Sequence, residues 1–223
     1  MLAVTDEWKR AYPEAHAGIV HLSQVSNPER HAELDLLKDK LVQDLRARFK
    51  DLEQLRSAEP IRAYQAYYKR FKKSYHVQHQ LESLIFKGKS IPRVAALVEA
   101  MFVAELGNML LTAGHDLDLI QGEITLGVSN GSERYIRLNG QDQDLKAGDM
   151  FMADFKGVIS SVIYGPDKRT MIRRETRNVL FAVYAPPGIS KEALRRHLEE
   201  LEQNVKVVSP ECKLESLEIV GAQ

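Results

Sequence analysis

The sequence predicts an α+β fold, with a helical N-terminal half packed on a mostly antiparallel sheet. Three observations carry this. Apolar residues recur every three or four positions through most of residues 26–106, the period of helices that bury one face. From residue 107 to about residue 184 the pattern changes to short alternating or continuous apolar runs, broken by turns at Asn130-Gly131, Asn139-Gly140 and Lys156-Gly157, as strands require. Helical spacing then returns before the chain ends in short apolar runs.

The first element is a strand, AGIVHLS at 17–23. Residues 26–55 read as one long amphipathic helix: Asn27 is placed to cap it and Pro28 falls in the first turn. Leu34, Leu37, Leu41, Leu45, Phe49 and Leu52 form its apolar stripe. The next helix sets Ile61, Tyr64, Tyr68 and Phe71 on one face and ends in a basic run. A short helix follows, stopped by Gly88. The nearly all-apolar stretch opened by Pro92 predicts a centrally buried helix. Strands are expected at EITLGVS, RYIRL, DMFMADF, GVISSVIY and NVLFAVYAP. Ser190 caps a last helix striped by Leu194, Leu198 and Leu201, and VKVV and LEIV read as short closing strands.

Lys plus Arg and Asp plus Glu both number 31, so the formal net charge is zero. Such a chain has no general attraction for a polyanion, and any nucleic-acid contact must come from local basic patches. A single cysteine, Cys212, excludes an intrachain disulfide framework and a thiolate-built zinc site. No apolar run approaches the roughly 20 residues that span a bilayer, and the first residues lack an apolar signal core. A cytoplasmic protein with no membrane partner is expected. GxSxG, Walker-type, GxGxxG and HExxH motifs are absent, which leaves nucleophile-dependent hydrolysis, phosphoryl transfer and dinucleotide redox chemistry without support. No metal and no cofactor is expected.

Three stretches concentrate reactive side chains. TAGHDLDLIQGEITLGV, residues 112–128, sets His115, Asp116 and Asp118 in a turn between two apolar runs. Imidazole with carboxylates suits several divalent ions; the aspartates equally suit a turn closed by side-chain-to-backbone bonds; and His115 suits a pocket position that holds a substrate or a water. YGPDKRTMIRRETRN, residues 164–178, is the most basic window. It either lies solvated or binds phosphates through guanidinium groups. YYKRFKKSY, residues 67–75, mixes cations with aromatic rings as RNA binding favours, although Tyr68 and Phe71 fall at core spacing.

Taken in order, YHVQHQLESLIFKGKSIP, LVEAMFVAEL, GHDLDLIQGEITLGV, AGDMFMADFKGVISSV and ETRNVLFAVYAP resemble the B-three/B-four module of the bacterial phenylalanyl-tRNA synthetase beta subunit and its free-standing relatives. The resemblance implies one B-three/B-four-like domain over 1–223. Residues 1–74 form a helical extension with the first strand, 75–189 the core, and 190–223 a closing helix with short strands. In the synthetase the module hydrolyses a wrongly attached amino acid from the tRNA 3′ end. A trans-acting editing hydrolase that deacylates mischarged aminoacyl-tRNA is therefore implied, with the tRNA acceptor end and a small amino-acid moiety as partners and no DNA.

The resemblance further implies His115 and its acidic partner Asp118 as catalytic, with His115 on the pocket rim at a helix–strand corner. It places Asp116, Asp167, Thr170, Thr176, Asn178 and Phe102 around the substrate, and Lys89, Arg169, Arg173 and Arg174 on the acceptor end. An aminoacyl ester is activated, so a positioned water and donors to the oxyanion suffice without a covalent nucleophile. Two stretches depart from the relatives. Their Asp-x-Tyr-Asn on the buried helix reads Glu99-Ala100-Met101-Phe102 here, and Ser160 to Tyr164 stand where they carry arginine and tryptophan. With Phe102 and Val162 the pocket becomes more apolar. The lost amide keeps open a non-catalytic tRNA- or RNA-binding or regulatory module, and the neutral net charge keeps open an enzyme for, or binder of, a small amino-acid-like ligand.

Overall fold

Residues 2–222 are described in the computed structural model. Their elements run β1 (Leu2–Val4), α1 (Asp6–Ala11), β2 (His16–Ser23), α2 (Ala32–Arg48), α3 (Leu52–Ser57), α4 (Glu59–Arg70), α5 (His76–Phe86), α6 (Ala96–Asn108), β3 (Thr112–Asp116), β4 (Ile124–Val128), β5 (Arg134–Ile136), β6 (Asp142–Asp144), β7 (Met150–Asp154), β8 (Gly157–Ser161), β9 (Gly165–Pro166), β10 (Val179–Ala185), α7 (Lys191–Val208) and β11 (Lys213–Gly221). The fold class is α+β, as the hydrophobic periods predict. Among the described residues no helix is long and apolar enough to cross a membrane.

Local chemistry sets several boundaries. Thr5 accepts the Trp8 N–H at the start of α1, Asp51 the Gln54 N–H at α3, and Ser190 the Ala193 N–H at α7, each satisfying a donor that the first turn leaves free. The long helix expected over residues 26–55 is instead two: Phe49 adopts an extended backbone after α2 and Asp51 recaps the chain as α3. Asn27 caps neither. Its side chain accepts the Leu97 N–H and donates to the Arg173 carbonyl, and the Pro28 carbonyl accepts the Ala96 N–H, so this segment starts α6 rather than α2. For the same reason α6 begins at Ala96, not at Pro92. VKVV is the last turn of α7, not a strand, because Val205 and Val208 continue the buried face set by Leu198 and Leu201.

In place of one sheet there are two larger sheets and a ribbon. The first has the order β1-β4-β7-β8-β9, antiparallel except for the parallel β1–β4 pair; the second is the antiparallel β11-β2-β10-β3. β5 and β6 form the ribbon. On the second sheet α7 crosses β2 so closely that a Cβ at Gly18 would lie 2.7 Å from Leu198 Cδ1; glycine permits the approach. α6 packs on α7 and against β3, and α2 covers α6. The α2–α6 contact includes a buried ion pair between Lys38 and Glu99, whose other oxygen accepts the Val94 N–H at 2.8 Å. Glu99 is thereby committed to structure.

The two sheets are joined through hydroxyls. Tyr184 of β10 bonds Ser160 of β8 at 2.7 Å. From α4, Tyr64 donates to the Tyr184 carbonyl, Tyr68 to the Val162 carbonyl and Tyr67 to Asp149. The rings themselves are buried, so the aromatic positions of the YYKRFKKSY stretch build the core, and only its lysines and arginine remain outside as cations.

Candidate functional site

A cavity of about 400 Å³ opens between the edge strands β3 and β9. Its walls come from α6 (Met101, Phe102, Glu105), β3 (Thr112, Ala113, Gly114), β8–β9 (Ser161, Gly165, Pro166) and Tyr184, with His76 and Gln80 of α5 across from them. Val94, Leu138 and Met171 add exposed apolar surface at its rim. Consecutive residues of β3 line it because the strand presents an edge there, not one pleated face. Thr112 N–H donates to Glu105 Oε2 at 2.8 Å and Asp116 N–H to the Thr170 carbonyl at 2.7 Å, both away from β10. Antiparallel alternation then turns the Gly114 N–H, midway between them, to the same edge. A Cβ at Gly114 would lie 2.7 Å from Ile172 Cδ1 and 3.2 Å from Met101 Sδ, so glycine keeps this wall open.

Glu105 is the acid of the cavity. It is buried, and loss of solvation pushes its carboxyl up to about 8, against the smaller opposing effect of the Thr112 N–H. At neutral pH it is a neutral acid on an apolar wall. Sequence reasoning passed over it, although a lone acid inside AMFVAEL, an otherwise apolar helical face, was a readable signal. Behind Thr112 the polar groups are fully matched. The Thr112 hydroxyl donates to the Leu110 carbonyl, His197 Nε2–H donates to that hydroxyl at 2.8 Å, and His197 Nδ1 accepts from Asn108. Burial holds His197 neutral, its value lowered to about 3.

His115 lies on a strand, not at a helix–strand corner, and does not line the cavity. Its neighbours along β3 reach the cavity while its own ring turns inward, where it is completely buried. Nδ1 lies 2.8 Å from the Thr170 hydroxyl, which donates to Asp167. A single hydroxyl proton cannot serve both, so Nδ1 carries the imidazole proton and Nε2 presents a lone pair. Nε2 meets no hydrogen-bond partner among the described residues. Burial, reinforced by the nearby Arg169 charge and opposed by Asp154, lowers the His115 value to about 3. Burial likewise raises Asp167.

The carboxylate linked to His115 is therefore Asp167, through Thr170, and not Asp118. Asp118 is exposed and accepts from Asn178 at 2.7 Å, which fastens the turn after β3 to the start of β10. Asp116 is buried on the Asp118 N–H, the Thr176 hydroxyl and Arg173. This is the side-chain-closed turn, and it removes Asp116, Thr176 and Asn178 from the cavity. Among the described residues no cluster of three His, Cys, Asp or Glu is placed to hold a metal.

The basic residues divide in the same way. Arg169 makes a two-pronged contact with Asp154, at 2.9 and 2.8 Å, and donates to the Leu119 carbonyl. Burial opposes ionisation of Asp154, but Arg169 and the Gln121 and Lys156 N–H groups outweigh it and hold the carboxyl below its ordinary value. Arg173 leans on Asp116. Arg174 is exposed, 3.8 Å from the equally exposed Glu29, and Lys89 is exposed beside a second cavity of about 350 Å³ that shares Phe102 and Gln80 with the first. Phe102 faces cavity space; Val162 does not, being wholly buried.

Comparison with known proteins gives the chain relatives. Two curated sequences, the phenylalanine–tRNA ligase beta subunits of Mycoplasma pneumoniae and Mycoplasma genitalium, are each 35% identical over 69 residues, 31% of this chain. The match spans only 9% of each subunit. Among solved structures, an N-terminal fragment of the Pyrococcus horikoshii phenylalanyl-tRNA synthetase beta subunit aligns over 98% of this chain and 50% of its own, at 12% identity and a TM-score of 0.49. The model of the B3/4 domain matches residues 62–211, two-thirds of the chain, and the protein belongs to the B3/4 domain family.

Proposed function

We propose that the chain receives the aminoacyl end of a charged tRNA, seats the amino-acid side chain in the cavity between β3 and β9, and releases the amino acid by hydrolysis of its ester. The observation that carries this reading is the cavity itself, apolar, of ligand size, and bordered by the edge of β3, which among the described residues is bridged to the following segment only at His115 and Met171. A water attacks the ester carbonyl, and the Gly114 N–H on that edge is the donor placed to receive the developing oxyanion. His115, with Thr170 and Asp167, acts as a positioning residue that fixes the inner face of β3. Lys89 and Arg174, exposed, meet the acceptor-end phosphates; Arg169 and Arg173 are occupied by internal carboxylates. A main hydrophobic core drawing on side chains from Leu2 to Cys212, beside a small second cluster at Tyr135, Leu145 and Val158, supports treating the whole as one domain.

The test is a deacylation time course with correctly and incorrectly charged tRNAs, beside His115→Ala. Selective release of one mischarged amino acid is expected, with His115→Ala less stable but still active in its folded fraction. Complete loss of release in a folded His115→Ala protein would make His115 the base. A second reading, a binding module without turnover, is favoured by the sealed imidazole. If every tRNA stays charged while still binding, that reading replaces the first.

A further inference from the structure

Among the described residues the cavity lining holds one carboxyl group, Glu105, and that group has no cation. Glu105 Oε2 takes the Thr112 N–H; facing it from the other elements are Thr112 of β3 with His197 of α7 behind, Tyr64 and Tyr68 of α4, Tyr75 just before α5, and His76 of α5 across the cavity. The Tyr64 hydroxyl is occupied by the Leu111 N–H and the Tyr184 carbonyl, and burial keeps His197 neutral. None of these neighbours supplies a positive charge. Elsewhere most buried acids have partners that offset their burial: Glu99 has Lys38, Asp154 has Arg169, Asp116 has Arg173, and Asp149, which has no cation, is held by the Tyr67 hydroxyl and the Ile163 N–H. Glu105 differs in facing a space, and a buried carboxylate without a partner is costly.

We infer that the missing partner is the ligand, and that the cavity is a site for an apolar primary amine whose ammonium seats on Glu105. The α-ammonium of an aminoacyl group is one such amine, so the inference rests on the same cavity as the proposed function and names the group it reads. The surroundings suit it. Phe102 and Tyr184 line the cavity, and aromatic faces attract ammonium. The strand alternation that points Thr112 N–H at Glu105 also turns the Thr112 carbonyl to that edge, an acceptor for a second ammonium hydrogen. Met101, Ile172 and Pro166 receive the apolar remainder. Because free Glu105 holds its proton to about pH 8, seating an ammonium at pH 7 must expel that proton.

The experiment is calorimetric titration of the intact protein with 3-methylbutylamine and, separately, with its neutral isostere 3-methylbutan-1-ol, in phosphate and in Tris at pH 7. The amine is expected to bind more tightly than the alcohol and to release close to one proton, read from the difference in heat between buffers. Its affinity should rise about tenfold from pH 7 to pH 9 and level off, because only the deprotonated fraction of Glu105 is competent. Glu105→Gln, which keeps an acceptor for the Thr112 N–H, should abolish the proton release and the pH dependence. Equal binding of amine and alcohol without proton release would overturn the ammonium site while leaving an apolar cavity for the proposed function. Binding of neither overturns it as well. Amine binding with no deacylation of any tRNA would keep the site and remove the hydrolase.

Discussion

Replacing Glu105 by glutamine should make the protein more stable, and by an amount that depends on pH. The carboxyl has an ordinary value of 4.5 and stands near 8 when folded. Between those limits the folded state keeps a proton that the unfolded chain has lost, so stability falls as pH rises. At 1.36 kcal/mol per unit the cost reaches about 3 kcal/mol at pH 7 and about 5 kcal/mol above pH 8. Glutamine retains an oxygen for the Thr112 N–H and carries no charge. Urea unfolding of both proteins from pH 5 to pH 9 is the assay. The stability difference should widen with pH and become constant beyond pH 8. Curves that run parallel across the range would refute the assignment of a neutral acid at Glu105.

Other positions are open to equally direct measurement. Arg169→Met leaves Asp154 buried without its cation; with Arg169 itself a third exposed, a loss of about 2–4 kcal/mol in chemical denaturation is expected, and a loss under 1 kcal/mol would show the pair to be solvated. Thr170→Val leaves the His115 Nδ1–H without its acceptor and takes one donor from Asp167, which keeps the Thr170 N–H and Arg169; a cost of about 1–3 kcal/mol is expected, read as a lowered Tm, and an unchanged Tm argues against the array. Gly114→Ala drives a methyl into Ile172 and Met101 and should cost about 1–3 kcal/mol while weakening amine binding in the cavity. His115 and His197 have folded values near 3, below the ordinary 6.5. Their contribution is therefore complete above pH 6.5 and is lost as pH falls toward 3. Proton NMR should show both rings neutral until the chain unfolds in acid, and a native-state titration of either near pH 6 would contradict their burial.

Much of the scaffold is legible from residue spacing alone. The faces of α4 and α7, the Ser190 cap and the strands β4, β5, β7, β8 and β10 follow from apolar period and turn residues; β6, read DQD, and the two-residue β9 carry no apolar pattern. What spacing does not reveal is tertiary in origin. Asn27 has the chemistry of a cap, but its amide is recruited by Leu97 and Arg173, more than 60 positions away. β3 hides because TAGHD has no alternation; both of its faces are buried, so polar and small residues sit where a half-exposed strand would show a pattern. Of the residues singled out in the sequence, His115, Thr170 and Asp167 come together, and Phe102 faces the candidate cavity. The pairing of His115 with Asp118 failed because three residues along a strand and turn reverse the direction of a side chain. The cations nearest the turn were spent on buried acids, which a list of charges cannot show.

The pairing of β2 has a consequence for how the chain acquires its shape. This strand, His16–Ser23, is held between β10 and β11, and its edges have no other strand to join. About 155 residues separate it from β10, which a ribosome adding roughly 5–20 residues per second needs on the order of ten to thirty seconds to produce. During that interval AGIVHLS emerges as an unpaired apolar ribbon, while α2 to α6 can already assemble through local contacts. Such long-range closure predicts slow, late sheet formation and an early interval in which this one segment is the natural substrate for a chaperone.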